Sequence, residues 1–82
     1  MRTKDRLIEI VSEYVVYDAE VTDESKFADD LSIDFYDMCE IMDGVNSEYG
    51  LHMSLTDMFG HDLDATVGEF TDNVLLKLGR LR

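Results

Sequence analysis

No proline interrupts this chain, and its apolar residues recur three and four positions apart, the spacing of one face of an α-helix. That pattern points away from sheets and toward helices packed on one another. In the first segment Leu7, Ile8, Val11, Tyr14 and Val15 keep the rhythm while Asp5, Glu9 and Glu13 line another side. Thr3 is a suitable N-cap, so the spacing predicts a helix from about Lys4 to Val16. A strand at Val15–Val16–Tyr17 is conceivable from propensity, but three residues without alternation argue weakly for it. Residues 17–34 hold many Asp, Ser and Thr and no sustained period, which predicts a long loop. Structureless loops beyond about 12–15 residues are uncommon in compact domains, so Phe27 and Leu31 are expected to pin this one to the core.

A second helix is expected near Phe35, capped by Asp34, with Asp37 in its first turn suited to the positive end of the helix dipole. Met38, Ile41, Met42, Val45 and Tyr49 form its apolar stripe, and Gly50 supplies a stop. Gly44, inside the helix, costs about 1 kcal/mol relative to alanine and suggests close approach of a neighbour or a partner. Leu55, Met58, Phe59 and Leu63 suffice for a short helix interrupted or ended near Gly60. Thr66-Val67-Gly68-Glu69 reads as a capping box opening a last helix whose buried stripe is Val67, Phe70, Val74, Leu78 and Leu81. Three main helices and one short helix make an all-α four-helix bundle. Its 82 residues form a single domain, 1–82, large enough to bury about 60–65% of the surface its unfolded chain exposes.

The charge is segregated. Six of seven basic residues sit at the ends, and between Leu7 and Leu76 only Lys26 faces 18 carboxylates, a net of -17 within a total of -12. Phosphate backbones and anionic lipid repel such a chain, so neither nucleic acid nor membrane is an expected partner. A basic protein surface is, with binding that weakens in salt. A merely well-solvated surface is the plainer reading. No apolar run approaches the roughly 20 residues of a membrane span, and the single Cys39 cannot form an internal disulfide, which favours a reducing cytoplasm. Cys39, beside the apolar stripe and without a basic neighbour, reads as a small hydrophobe rather than a nucleophile. Asp57, His61, Asp62 and Asp64 lack the glycine and spacing of a calcium loop, so no metal site is expected. No catalytic set emerges, and the chain reads as an interaction protein rather than an enzyme.

Several stretches resemble acyl carrier proteins. Glu20-Val21-Thr22 and then Phe27-Ala28-Asp29-Asp30-Leu31-Ser32-Ile33-Asp34 look like the approach to that family's modification site. Asp37-Met38-Cys39-Glu40-Ile41-Met42, ending at Glu48-Tyr49-Gly50, is similar to its second helix. Thr66-Val67-Gly68-Glu69-Phe70 resembles the start of its final helix, and the likeness runs from about Lys4 to Leu78. The resemblance implies an acyl-carrier-protein-like bundle with a long first loop. It also implies a carrier of acyl or peptidyl chains on a 4'-phosphopantetheine arm esterified to the serine of an Asp-Ser-Leu motif. An acidic second helix would dock on basic patches of synthases and transferases in fatty-acid, polyketide or related biosynthesis.

The defining residue is replaced. Asp34 matches the family's aspartate and Tyr36 stands at its leucine, but Phe35 takes the place of the serine. Phenylalanine has no hydroxyl to esterify, so no phosphopantetheine cofactor is expected. Ser32, roughly where the family often has glycine, lies three residues too early for a transfer that a displacement of about 1 Å can slow 100-fold. Tyr36 carries a phenol, chemically unlike serine. Three functions remain: a carrier fold kept for non-covalent docking by a monomer; a carrier using Ser32 or binding acyl groups without a covalent bond; and an acidic mimic of nucleic acid. For docking, Asp34, Phe35, Tyr36, Asp37, Glu40 and Asp43 form the candidate surface, an aromatic pair with an acidic rim. Alternatively, Phe35 folds back and adds to the core.

Overall fold

The computed structural model describes residues 2–16 and 19–80. Four helices follow in order: α1 (Thr3–Ser12), α2 (Phe35–Tyr49), α3 (Leu55–Phe59) and α4 (Val67–Lys77). Among the described residues there is no strand, only an isolated antiparallel bridge between Lys26 and Thr66. The all-α four-helix expectation holds, with three main helices and one short one. α4 packs against α1 and α3, and α2 packs against α1 and α3.

Helix α1 departs from expectation at both ends. Thr3 is its first residue rather than its cap; Arg2 holds the cap position and makes no side-chain capping bond. The helix also stops at Ser12, short of Val16. Its last N–H groups shift to tighter three-residue bonds, Tyr14 to Val11 and Val15 to Ser12. Glu13 sits at the negative end of the helix dipole with no basic residue in the last turn, and β-branched Val15 and Val16 follow. Leu7, Ile10 and Val11 are its buried face; Ile10 joins the expected stripe, and Ile8 packs against the core half-buried. Tyr14 and Val15 still pack on the core from beyond the helix end. Val15 and Val16 form no strand, while Tyr17 and Leu81, the end of the last stripe, lie outside the described residues.

Helix α2 forms as its caps dictate. The Asp34 carboxylate accepts the Asp37 N–H at 2.8 Å, and Gly50 closes the helix in the left-handed conformation, φ 66°. Met38, Ile41 and Val45 are buried; Met42 and Tyr49 pack at the margin of the core. Asn46 then clamps the linker to α3, donating to the Met53 carbonyl at 2.9 Å and accepting its N–H at 3.0 Å. α3 starts with a capping box of Ser54 and Asp57 and ends against Gly60. That box is written in the sequence as Ser-x-x-Asp, a shorter version of the usual Ser-x-x-Glu.

The long loop is pinned as predicted, by Phe27, Leu31 and also Ile33, all buried. Phe27 meets Phe59 of α3 and Phe70 of α4 edge-on, with ring centroids 4.9 and 5.5 Å away. The loop also completes the first turn of α4. The Val67 N–H donates to the Ser25 carbonyl at 2.8 Å and the Gly68 N–H to the Asp23 carbonyl at 2.9 Å. The Thr66 hydroxyl takes the Glu69 N–H and the Glu69 carboxylate takes the Thr66 N–H, so the four donors that lack helical partners at this end are satisfied.

The two helix-interior glycines have opposite roles. Gly44, expected to permit close approach, has open space where its side chain would be: a Cβ there meets nothing within 4 Å. Gly68 is the one with a neighbour, since a Cβ would lie 3.0 Å from the Asp23 carbonyl oxygen. Gly44→Ala should therefore stabilise the fold by about 1 kcal/mol through helix propensity. Gly68→Ala should destabilise it by about 1–3 kcal/mol through overpacking. Urea melts of the two variants beside the wild type check both signs.

Candidate functional site

The candidate surface is the exposed side of α2 and the residue that caps it. Its position follows from the stripe: with Met38, Ile41 and Val45 turned inward, Tyr36, Glu40 and Asp43 must turn outward on a helix of 3.6 residues per turn. Asp34 is held by its capping bond at the head of the helix.

Phe35 belongs to the surface. It is 53% exposed and Tyr36 beside it 76% exposed, with their rings edge-to-face and centroids 6.1 Å apart. The alternative, Phe35 turned into the core, is excluded by this exposure. Its near neighbours in the sequence, Leu31, Ile33 and Met38, are the buried residues there, and the first residue of the helix stays outside. Two large aromatic rings thus stand in water at the head of α2, where each would lose solvent on contact with another molecule.

Around them lie Asp34, Asp37, Glu40 and Asp43. Among the described residues no ion pair includes any of the four; the ion pairs there are Lys4–Asp23, Arg6–Glu9 and Arg6–Glu48. Glu40 accepts a long hydrogen bond, 3.4 Å, from the Tyr14 hydroxyl. Burial first, and the Glu40 charge second, push the Tyr14 phenol above its usual value. Farther along α2, the Arg6 guanidinium reaches from α1 and grips Glu48 with two bonds of 2.8 Å. These hydrogen bonds hold the Glu48 carboxyl below its ordinary value, and Glu48 and Glu9 hold Arg6 firmly protonated. The exposed face of α2 is consequently acidic and available at its head, and tied to α1 at its foot.

The serine weighed as an alternative attachment point is also on the surface. Ser32 is exposed and adopts the left-handed conformation, φ 55°, three residues before Phe35. Its N–H donates to the Ala28 carbonyl, closing the turn that carries Leu31 inward. A left-handed backbone favours glycine, so Ser32 is a strained choice at this point.

A cleft of about 240 Å³ lies elsewhere, between the first loop and the segment before α4, with Phe27 and Leu63 among its lining and Asp29, Asp62 and Asp64 around it. None of the six candidate residues lines it, though Asp62 and Asp64, weighed above as cation ligands, do. His52 and His61 are exposed, and among the described residues no three His, Cys, Asp or Glu side chains are grouped to hold a metal ion. No helix among the described residues is long and apolar enough to cross a membrane. Compared with protein-family models, curated proteins and solved structures, the chain finds no match.

Two expectations follow. Phe35→Ala should cost about 1 kcal/mol of stability or less, as an exposed side chain does, whereas Phe27→Ala should cost about 3–5 kcal/mol. Thermal melts of the pair test the placement of both rings. Glu48, whose acidity is raised by folding, stabilises the fold above its ordinary value of 4.5, and this contribution is lost as the pH falls through the lower folded value. The gap in melting temperature between wild type and Glu48→Gln should accordingly be widest near neutrality and close as the pH drops below 4.5.

Proposed function

We propose that this chain is an acyl-carrier-protein-like domain that has lost covalent carriage and acts by non-covalent docking to a protein of an acyl or peptidyl biosynthetic system. One observation carries the reading. At the head of α2, where the family it resembles bears its serine, stands an exposed phenylalanine paired with an exposed tyrosine. A residue that merely replaced a lost serine would be small or polar at so open a position. An aromatic pair gains free energy only when something covers it, and buried aromatics dominate the energetics of interfaces.

The surroundings agree with this reading. The carboxylates of Asp34, Asp37, Glu40 and Asp43 give a rim that attracts a basic surface and repels nucleic acid. The long first loop, the short third helix and the left-handed turn at Ser32, where the family often has glycine, support the resemblance. A mimic of nucleic acid would use the carboxylates but has no need of the two rings. No catalytic role is assigned to any residue, and the function is that of a binding partner in the cytoplasm.

The chemistry is tested by intact mass. After incubation with coenzyme A and a phosphopantetheinyl transferase, the wild-type mass should be unchanged, because Phe35 offers no oxygen. Phe35→Ser should gain one phosphopantetheine, since Asp34 and the acidic helix remain in place. A phosphopantetheine on wild-type Ser32 would instead make this a working carrier and overturn the reading.

A further inference from the structure

The first loop meets the segment before α4 at the antiparallel bridge of Lys26 and Thr66. Beyond that bridge the two segments part, because each closes on itself. The Lys26 carbonyl accepts the Asp30 and Leu31 N–H groups. The Phe59 carbonyl accepts the Ala65 N–H across a turn that holds Leu63 in the left-handed conformation, φ 57°. Backbone groups committed within each turn cannot pair across the gap, and the cleft of about 240 Å³ lies there. Phe27, edge-on to Phe59 and Phe70, fixes one side of it. A cavity formed before anything enters it costs a ligand little ordering.

The lining is divided by chemistry. Phe27, buried, and Leu63, half-buried, are apolar. Lys26 is exposed and is the only lysine or arginine between Leu7 and Leu76. It makes no ion pair among the described residues, although Asp29, Asp62 and Asp64 line the same cleft. Those three carboxylates have no cationic partner there either. Charges of both signs thus stand around one opening without meeting, beside apolar surface. Carboxylates alone would suit any cation; the lysine among them asks for an anion on the same ligand. Three carboxylates outnumber one ammonium, so the complementary ligand carries more cations than anions. The cleft falls below the roughly 300–1,000 Å³ of drug-sized sites, so that ligand is small.

We propose that this cleft binds a free amino acid with a basic side chain. The ligand's carboxylate meets the Lys26 ammonium, and its two ammonium groups meet the carboxylates of Asp29, Asp62 and Asp64. Its methylene stem lies on Phe27 and Leu63. Charge-assisted bonds at both ends fix its orientation, while the stem covers apolar surface. None of these residues belongs to the head of α2, so the site is independent of the docking reading.

The probe is L-lysine, titrated at low salt into ¹⁵N-labelled full chain. Saturable amide shifts should centre on Ala28, Asp29, Leu63 and Asp64, with a Kd of about 1 mM. Cadaverine, which lacks the carboxylate, and L-norleucine, which lacks the second ammonium, should each bind about tenfold more weakly. Lys26→Gln should weaken L-lysine about tenfold without weakening cadaverine, whereas Asp62→Asn combined with Asp64→Asn should weaken both. The three side chains are exposed, so these variants should melt as the wild type does. Cadaverine that binds as tightly as L-lysine, with Lys26→Gln leaving L-lysine unaffected, would mean an acidic patch collecting cations and would overturn the proposal. L-lysine shifts that never saturate, or that spread over the whole acidic surface, overturn it as well.

Discussion

The ring of Phe27 holds this protein together. It arrives from a segment with no helix of its own and inserts between α3 and α4, edge-on to Phe59 and to Phe70, which stack on each other 5.2 Å apart. Such pairs contribute about 0.5–1.5 kcal/mol each beyond the area they bury. Their larger effect is positional. With Phe27 fixed, the carbonyls of Asp23 and Ser25 are delivered to the first turn of α4, and Leu31 and Ile33 join the core. A long connection that would otherwise forfeit the conformational entropy of ordering becomes a fourth wall of the core.

The charges are organised around that core without entering it. Glu48 lies near the negative end of the α2 dipole, an unfavourable place for a carboxylate, and Arg6 offsets this by gripping it from α1. The Arg6–Glu48 pair ties α1 to α2 on their solvent side. Three of the six basic residues near the chain ends are committed to the fold: Lys4 to Asp23, Arg6 to Glu9 and Glu48, and Arg80 to the Thr3 hydroxyl. The carboxylates at the head of α2 have no such cation among the described residues, which leaves their field directed at solvent and at whatever approaches.

A fold does not entail a function, and under the proposed reading the two separate at one side chain. The phenyl ring of Phe35 offers no hydroxyl to esterify, while the cap at Asp34 and the core do not depend on it, because Phe35 is exposed. On that proposal the head of α2 presents an aromatic pair where a carrier would present its arm.

The sequence by itself determined the helices and their inward faces. Caps at Asp34 and Thr66, the stop at Gly50 and the stripe of Met38, Ile41 and Val45 are local signals, each acting within one or two turns, and each is found in the structure. The carboxylates of the candidate surface were legible for the same reason, as the complement of that stripe. Tertiary structure alone decided the rest. Phe35 is 53% exposed while Leu31, Ile33 and Met38 near it are buried, and no periodicity records which of them the core takes. Ile10 and Met53 are buried because other segments cover them. Gly44 and Gly68 look alike in sequence, yet one faces open space and the other the Asp23 carbonyl, 45 residues earlier in the chain. Local rules act between residues a few positions apart; what a side chain finally touches is set by parts of the chain that only folding brings near.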